Sequence, residues 1–295
     1  MATFFDVPLS ALMGQLMLGL VNGSFYAILS LGLAVIFGML RIINFAHGAF
    51  FMMGAFFSWM CLNYFGVNYW WSLLLVPLTV GIVGVVIERA LLQWLYKLDH
   101  LYGLLLTFGM ALIIEGVFRN EFGVSGQPYA VPEALKGAMN LGFMFLPVYR
   151  GWVIVASLAV CALTWFMIER TRLGSYLRAA TENPALTQAF GINVPVMVML
   201  TYGFGVALAS FAGVLAAPVL QVSPMMGSQL IIVVFAVVVI GGMGSIFGAI
   251  ITGLSLGVIE GLAKLFYPEV SATIVFIIMA IVLLFRPAGL FGRAE

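Results

Sequence analysis

Apolar residues run in long stretches along this chain, and polar residues gather in a few short gaps between them. A helix that spans a membrane needs about 20 mostly apolar residues. Stretches that meet or approach that length lie at roughly 9–38, 47–65, 70–88, 101–118, 151–168, 196–217, 229–240, 246–266 and 271–285. The first is long for one crossing, which predicts tilt or a break near Asn22-Gly23. The 229–240 stretch is too short to cross alone and predicts a half-helix that re-enters, or one arm of a broken helix. The expected fold is all-α: one polytopic bundle over residues 1–295 with eight or nine membrane segments. No internal repeat is readable at the residue level.

The longest polar gap on the far side of the fifth stretch is 169–195. Asn183-Pro184 reads as a helix start, with Asn as the cap and Pro in the first turn. Gly191 suits the left-handed position that ends a helix. Between them Leu186, Ala189 and Phe190 fall at i, i+3 and i+4 and make one apolar face. The preceding piece has an apolar side, Leu173, Tyr176, Leu177 and Ala180, and a basic side, Arg172 and Arg178. Isolated helices this short are marginal in water, so both must dock on something. Two readings stand: a pair of helices on lipid headgroups, or a coupling segment that inserts into a cytoplasmic motor subunit. A second gap, 119–150, carries Gly, Pro and balanced charge, with an apolar patch at Phe143–Pro147 that reads as interfacial. It is expected to be an extracytoplasmic loop that either connects or meets a partner.

Composition removes the soluble alternative. The chain is 64% hydrophobic and 8% charged over 295 residues, with mean hydropathy +1.17; soluble domains carry about 25% charge. A net charge of +1 argues against nucleic acid as a partner and leaves the bilayer as the main surroundings. Cys61 and Cys161 sit in apolar runs with no metal or redox spacing and read as buried thiols. Met1–Pro8 has no Lys or Arg, so no cleaved signal peptide is expected. Loop charges orient the chain. With the N-terminus outside and nine crossings, Arg41, Arg89, Lys97, Arg170, Arg172, Arg178, Arg286 and Arg293 fall inside, and Arg119, Lys136, Arg150 and Lys264 outside. This eight-to-four bias puts 169–195 and the C-terminus in the cytoplasm.

Polar groups at membrane depth usually face a bundle interior or a cavity. Asn22, Asn44 and His47 are candidates for a substrate path; the last two share a face if helical, and otherwise tie one span to the next. Glu88 beside Arg89 is expected to snorkel or pair. Glu115 and Glu260 each have a cation four residues on, Arg119 and Lys264, so local pairing competes with recognition of a substrate ammonium. Gly241, Gly242, Gly244 and Ser245 cannot make a good helix interior, since each Gly costs about 1 kcal/mol there. Such a break either lines a transport site, where a helix N-terminus favours carboxylates, or packs through small residues, as the rows Gly244/Gly248/Thr252 and Gly253/Gly257 permit.

Four motifs together resemble a known family. Thr171-Arg-Leu-Gly174, Leu177-Arg-Ala179, Glu182-Asn-Pro184 and Phe190-Gly-Ile192 resemble the cytoplasmic coupling loop of LivH-type permeases of branched-chain amino acid importers. Glu182, Ala185 and Gly191 loosely match the wider importer loop pattern, with Asn-Pro departing from it. Asn22 to Gly48, including Arg41-Ile-Ile-Asn-Phe-Ala-His-Gly48, resembles the family's N-terminal signature. Gly241-Gly-Met-Gly-Ser245 resembles its glycine-rich stretch, and Arg286-Pro-Ala-Gly-Leu-Phe-Gly292 its ending. The resemblance implies a multi-pass permease in a bacterial inner membrane, two cytoplasmic ATP-binding-cassette ATPases, a second homologous membrane subunit and an extracytoplasmic binding protein. It implies Arg172, Leu173, Tyr176, Arg178, Glu182, Asn183, Pro184, Leu186, Phe190 and Gly191 as the ATPase contact. The chain has no Gly-x-x-x-x-Gly-Lys-Ser/Thr loop, so no cofactor is expected in it, and ATP with Mg belongs to the partners. Relatives carrying urea, amides or small organic acids, an ion-coupled transporter, and a passive channel are the competing readings.

Overall fold

A computed structural model describes residues 3–4, 7–40, 43–96 and 98–292. Arg41, Lys97 and Arg293, three of the charges that orient the chain, lie outside the described residues. A short hairpin, β1 (Thr3–Phe4) and β2 (Val7–Pro8), leads into α1 (Leu9–Leu40). Then follow α2 (Ala46–Phe65), α3 (Tyr69–Ala90), a 3-10 turn (Leu92–Leu95) and α4 (His100–Phe122). The 119–150 gap holds a second 3-10 turn (Glu133–Leu135) and a hairpin of β3 (Ala138–Asn140) with β4 (Phe145–Pro147). After α5 (Val148–Arg170) come the short α6 (Arg172–Glu182) and α7 (Pro184–Ala189). The chain closes with α8 (Val194–Ala216), α9 (Met226–Gly241), α10 (Ile246–Phe266) and α11 (Ile274–Phe285). Among the described residues, seven helices are long and apolar enough to cross a membrane, with α9 and α11 shorter. The chain is a polytopic helical membrane protein.

The expected break at Asn22-Gly23 is absent: α1 runs unbroken for 32 residues. Its length reflects its position. It is the most buried helix and packs against α5, α8, α9 and α10. Contact is close because small residues face each other. A Cβ on Gly257 would lie 2.2 Å from the Gly23 Cα, and one on Gly213 would lie 2.0 Å from the Phe51 carbonyl oxygen. In lipid there is little hydrophobic drive between helices, so this close packing supplies much of their attraction. It settles the role of the row Gly253/Gly257 as an α10–α1 contact.

The turn between α1 and α2 returns into the bundle. His47, in the first turn of α2, meets the Leu29 carbonyl, and a Cβ on Gly32 would touch its ring. Leu29 and Gly32 lie 11 and 8 residues before the end of α1 at Leu40. At 1.5 Å rise per residue, α2 therefore starts roughly 12–16 Å short of that end. The start of α9 is at the same depth, because Gly227 and Gly48 abut: a Cβ on Gly227 would be 2.1 Å from the Gly48 carbonyl oxygen. The chain reaches it from the far end of α8 through 217–225, which pairs Val222 with Gln127 of the 119–150 loop. The other end of α9 joins α10 beside Gly38 of α1. Thus 217–241 as a whole passes from one end of the bundle to the other, which the helical stretch 229–240 alone is too short to do.

Candidate functional site

The 169–195 segment lies at the end of the bundle where α5 stops and α8 starts. α6 turns back onto α5 so closely that Gly174 is required there: a Cβ would fall 1.6 Å from the Ile168 carbonyl oxygen. Arg178 donates from Nη1 to that same carbonyl at 3.2 Å and lies 3.5 Å from Glu169 Oε2, so it braces α6. The Asn183 side chain accepts from the Leu186 N–H at 3.0 Å, Pro184 opens α7, and Gly191 ends it at φ +83°. The capping grammar of the sequence is therefore what forms. The apolar side of α6 is divided: Ala180 is buried and Leu177 partly so, while Leu173 and Tyr176 face outward. On α7, Leu186 and Phe190 stand out, Phe190 at 78% exposure. Arg172, Glu182, Asn183 and Pro184 are exposed with them.

The glycine break is filled by the chain's own ending. Leu290 N–H donates to the Ile240 carbonyl at 2.8 Å, and Phe291 N–H to that of Gly241 at 3.2 Å. A Cβ on Gly242, whose φ is +99°, would sit 2.4 Å from the Gly292 nitrogen. Gly241 packs on Gly248 and Gly244 on Gly38. The Ser245 hydroxyl accepts from the Gly248 N–H at 3.1 Å, capping α10. Ser245 thus caps the start of α10, and Gly241–Ser245 forms a packed joint.

Asn44 and His47 are buried and do not share a helical face, because Asn44 precedes α2 in the turn. Asn44 Nδ2 donates to the Tyr202 hydroxyl of α8 at 3.1 Å, and Oδ1 accepts from Ala46 N–H at 3.1 Å. His47 Nε2 donates to the Leu29 carbonyl at 3.0 Å, which fixes its tautomer; Nδ1 has no partner among the described residues. Thr107 of α4 completes the tie, accepting from Phe45 N–H at 3.2 Å. These groups hold the re-entrant turn. Asn22 lies inside the continuous α1 and is half-buried.

The carboxylates part company. Glu260 pairs as expected with Lys264 at 2.6 Å, and its other oxygen accepts from the Tyr26 hydroxyl of α1 at 2.7 Å. Glu88 does not pair with Arg89. It is buried and accepts from the Tyr96 hydroxyl at 2.5 Å, while Arg89 turns to Gln93. Burial, then the Glu88 carboxylate, push the Tyr96 phenol well above its ordinary range, so it remains the donor. Glu115 makes no ion pair with Arg119 and has no hydrogen-bond partner among the described residues. Helical spacing permits that pair, but the Glu115 side chain lines a cavity of about 70 Å³ between α2, α4 and the start of α9. Pro224, Gly227 and Ser228 line it too. Sequence reading missed these, along with Tyr26, Tyr96, Thr107 and Tyr202. Pro224 just ahead of an apolar run was the only local sign of a helix start there.

The chain matches the family described as branched-chain amino acid transport system / permease component over residues 15–284. It is 31% identical over 297 residues to the high-affinity branched-chain amino acid transport system permease protein LivH of Escherichia coli, covering 95% of this chain and 96% of that one. It is 32% identical over 301 residues to the corresponding protein BraD of Pseudomonas aeruginosa, with the same coverage. A more distant relative is the permease protein LivM of Escherichia coli, 26% identical over 90% of this chain and 67% of that one. No solved structure matches the chain. With its multi-pass helical build and a family match over nearly its whole length, the chain belongs to the branched-chain amino acid transport permease family.

Proposed function

We propose that this chain is one of two homologous membrane subunits of an ATP-binding-cassette importer for branched-chain amino acids in a bacterial inner membrane. Two cytoplasmic ATPases hydrolyse ATP with Mg, and an extracytoplasmic binding protein delivers the substrate. Relatives of both the LivH and LivM kinds support a paired membrane assembly. In this reading the α6–α7 end faces the cytoplasm and the 119–150 loop faces outward. ATPase closure moves α6 and α7 as a lever, and the rigid contact of α6 with α5 passes that motion into the bundle, which switches between outward and inward openings.

The observation that carries the reading is the exposure of Leu186 and Phe190 on a two-turn helix whose ends are both capped. A short helix with bare apolar groups and a fixed backbone is shaped to enter a cleft. Phe190→Asp should lower ATP-driven uptake of leucine at least tenfold in vesicles carrying all subunits, with membrane insertion unchanged. Wild-type uptake by the variant would sink the coupling role. Uptake by this chain alone, without ATPases, would sink the importer itself.

A further inference from the structure

The cavity between α2, α4 and α9 lies where two helices start inside the bundle. Its walls are Phe45, Met52, Phe108, Leu112 and Ile231, all apolar, with one carboxylate, Glu115. Glu115 is 7 residues before the end of α4 at Phe122, so it lies roughly 10 Å inside that end along the axis. A charge at membrane depth without a partner is costly and marks a path or a site. The two tie-points that carry the other membrane carboxylates, Tyr26/Lys264 on Glu260 and Tyr96 on Glu88, show how this bundle treats a carboxylate that is only structural. Glu115 is not treated in that way.

The opposite wall has the opposite polarity. α2 and α9 both begin there, with Gly48, Gly227 and Ser228 on the cavity surface. Phe45 and Met225 occupy the cap positions without a side-chain cap bond; Asn44 takes the Ala46 and His47 N–H groups, while those of Gly48, Gly227 and Ser228 have no acceptor among the described residues. α5, α6 and α11 also start without a side-chain cap, so what sets α2 and α9 apart is that both starts open on this one cavity. Free first-turn N–H groups favour an anion.

We propose that this cavity is the membrane-depth site for a zwitterionic α-amino acid with an aliphatic side chain. Glu115 takes the ammonium, the starts of α2 and α9 take the carboxylate, and the side chain lies along Phe108 and Leu112 at the mouth. The size agrees. A water-sized group needs about 10–15 Å³ on this measure, so the cavity holds roughly five to seven such groups; the amino acid head has about five heavy atoms. Phe108 and Leu112 are both exposed, so the side chain runs outward past them. The proposal rests on the importer reading and adds where in this chain the substrate is held.

The test uses the complete transporter in proteoliposomes loaded with ATP. Glu115→Gln should cut maximal leucine uptake at least tenfold, and Glu115→Asp should keep at least a third of it. Both variants should co-purify with the ATPase subunits as the wild type does, so that the loss is one of transport and not of assembly. Leucine uptake by Glu115→Gln at the wild-type maximal rate overturns the proposal. Leu112→Trp narrows the mouth and keeps the question open to test if Glu115→Gln fails to assemble. It should lower the leucine-to-valine uptake ratio at least threefold, and an unchanged ratio overturns the proposal. A wild-type transporter that takes up no aliphatic amino acid overturns the importer reading itself, whereas a working wild type with unaffected variants overturns only the site.

Discussion

The two ends of α9 are built in opposite ways. Its C-terminal end, at Gly241-Gly242, is sealed. The last carbonyls receive N–H groups from Leu290 and Phe291, Gly292 fills the space beside Gly242, and the next helix is capped by Ser245. Its N-terminal end, at Met225–Ser228, has no side-chain cap and opens on a cavity with an unpaired carboxylate. Glycine occurs at both ends, so glycine content does not tell them apart. What differs is whether another part of the chain arrives to satisfy the backbone. Where it does, the backbone is satisfied, although the glycines pack at both ends, Gly242 against Gly292 and Gly227 against Gly48. Where none does, the backbone groups remain available, and irregular backbone at membrane depth is tolerated only beside protein or a cavity.

Three substitutions sharpen this contrast. The largest effect is expected for Gly242→Val at the sealed end. The added side chain meets Gly292 in a backbone conformation that disfavours it, and the loss should be about 3 kcal/mol or more, read as a lower thermal midpoint in detergent. An unchanged midpoint would mean that the C-terminal turn does not hold this end. Asn44→Ala, beside the open end, removes the bond to Tyr202 and the acceptor for Ala46 N–H, and should cost about 1–2 kcal/mol. If that variant keeps wild-type stability, the re-entrant start of α2 does not depend on this tie. Ser245→Ala removes only the α10 cap and should cost about 1 kcal/mol or less. A cost equal to that of Gly242→Val would place the seal in the cap and not in the tail.

Much of the architecture was legible because lipid imposes a simple rule. Stretches long and apolar enough to span show themselves in sequence, and the boundaries of α2, α3, α5 and α10 fall close to the runs that predicted them. Asn183-Pro184 and Gly191 were readable for a similar reason: a cap acts within three or four residues, so its chemistry is local. The unbroken α1 was less readable. Asn22-Gly23 resembles a break in isolation, and only the approach of α10 gives Gly23 a packing role. The cavity was least readable, since its walls come from three helices far apart in the chain and its anion-binding side is backbone, which carries no residue signature.

The sequence by itself determined that this is a polytopic helical membrane protein, where its polar segment begins and caps, and which family it resembles. Hydropathy, capping and motif spacing are short-range properties, and each is written within one stretch. Only the tertiary structure decided which glycine break is sealed, which carboxylate is left unpaired, and that α2 and α9 start together inside the bundle. Those outcomes depend on which distant segment supplies a hydrogen-bond donor: Leu290 reaches Ile240 and Tyr26 reaches Glu260, but no described residue reaches Glu115. A charged group left without such a partner is visible only after the whole chain has packed.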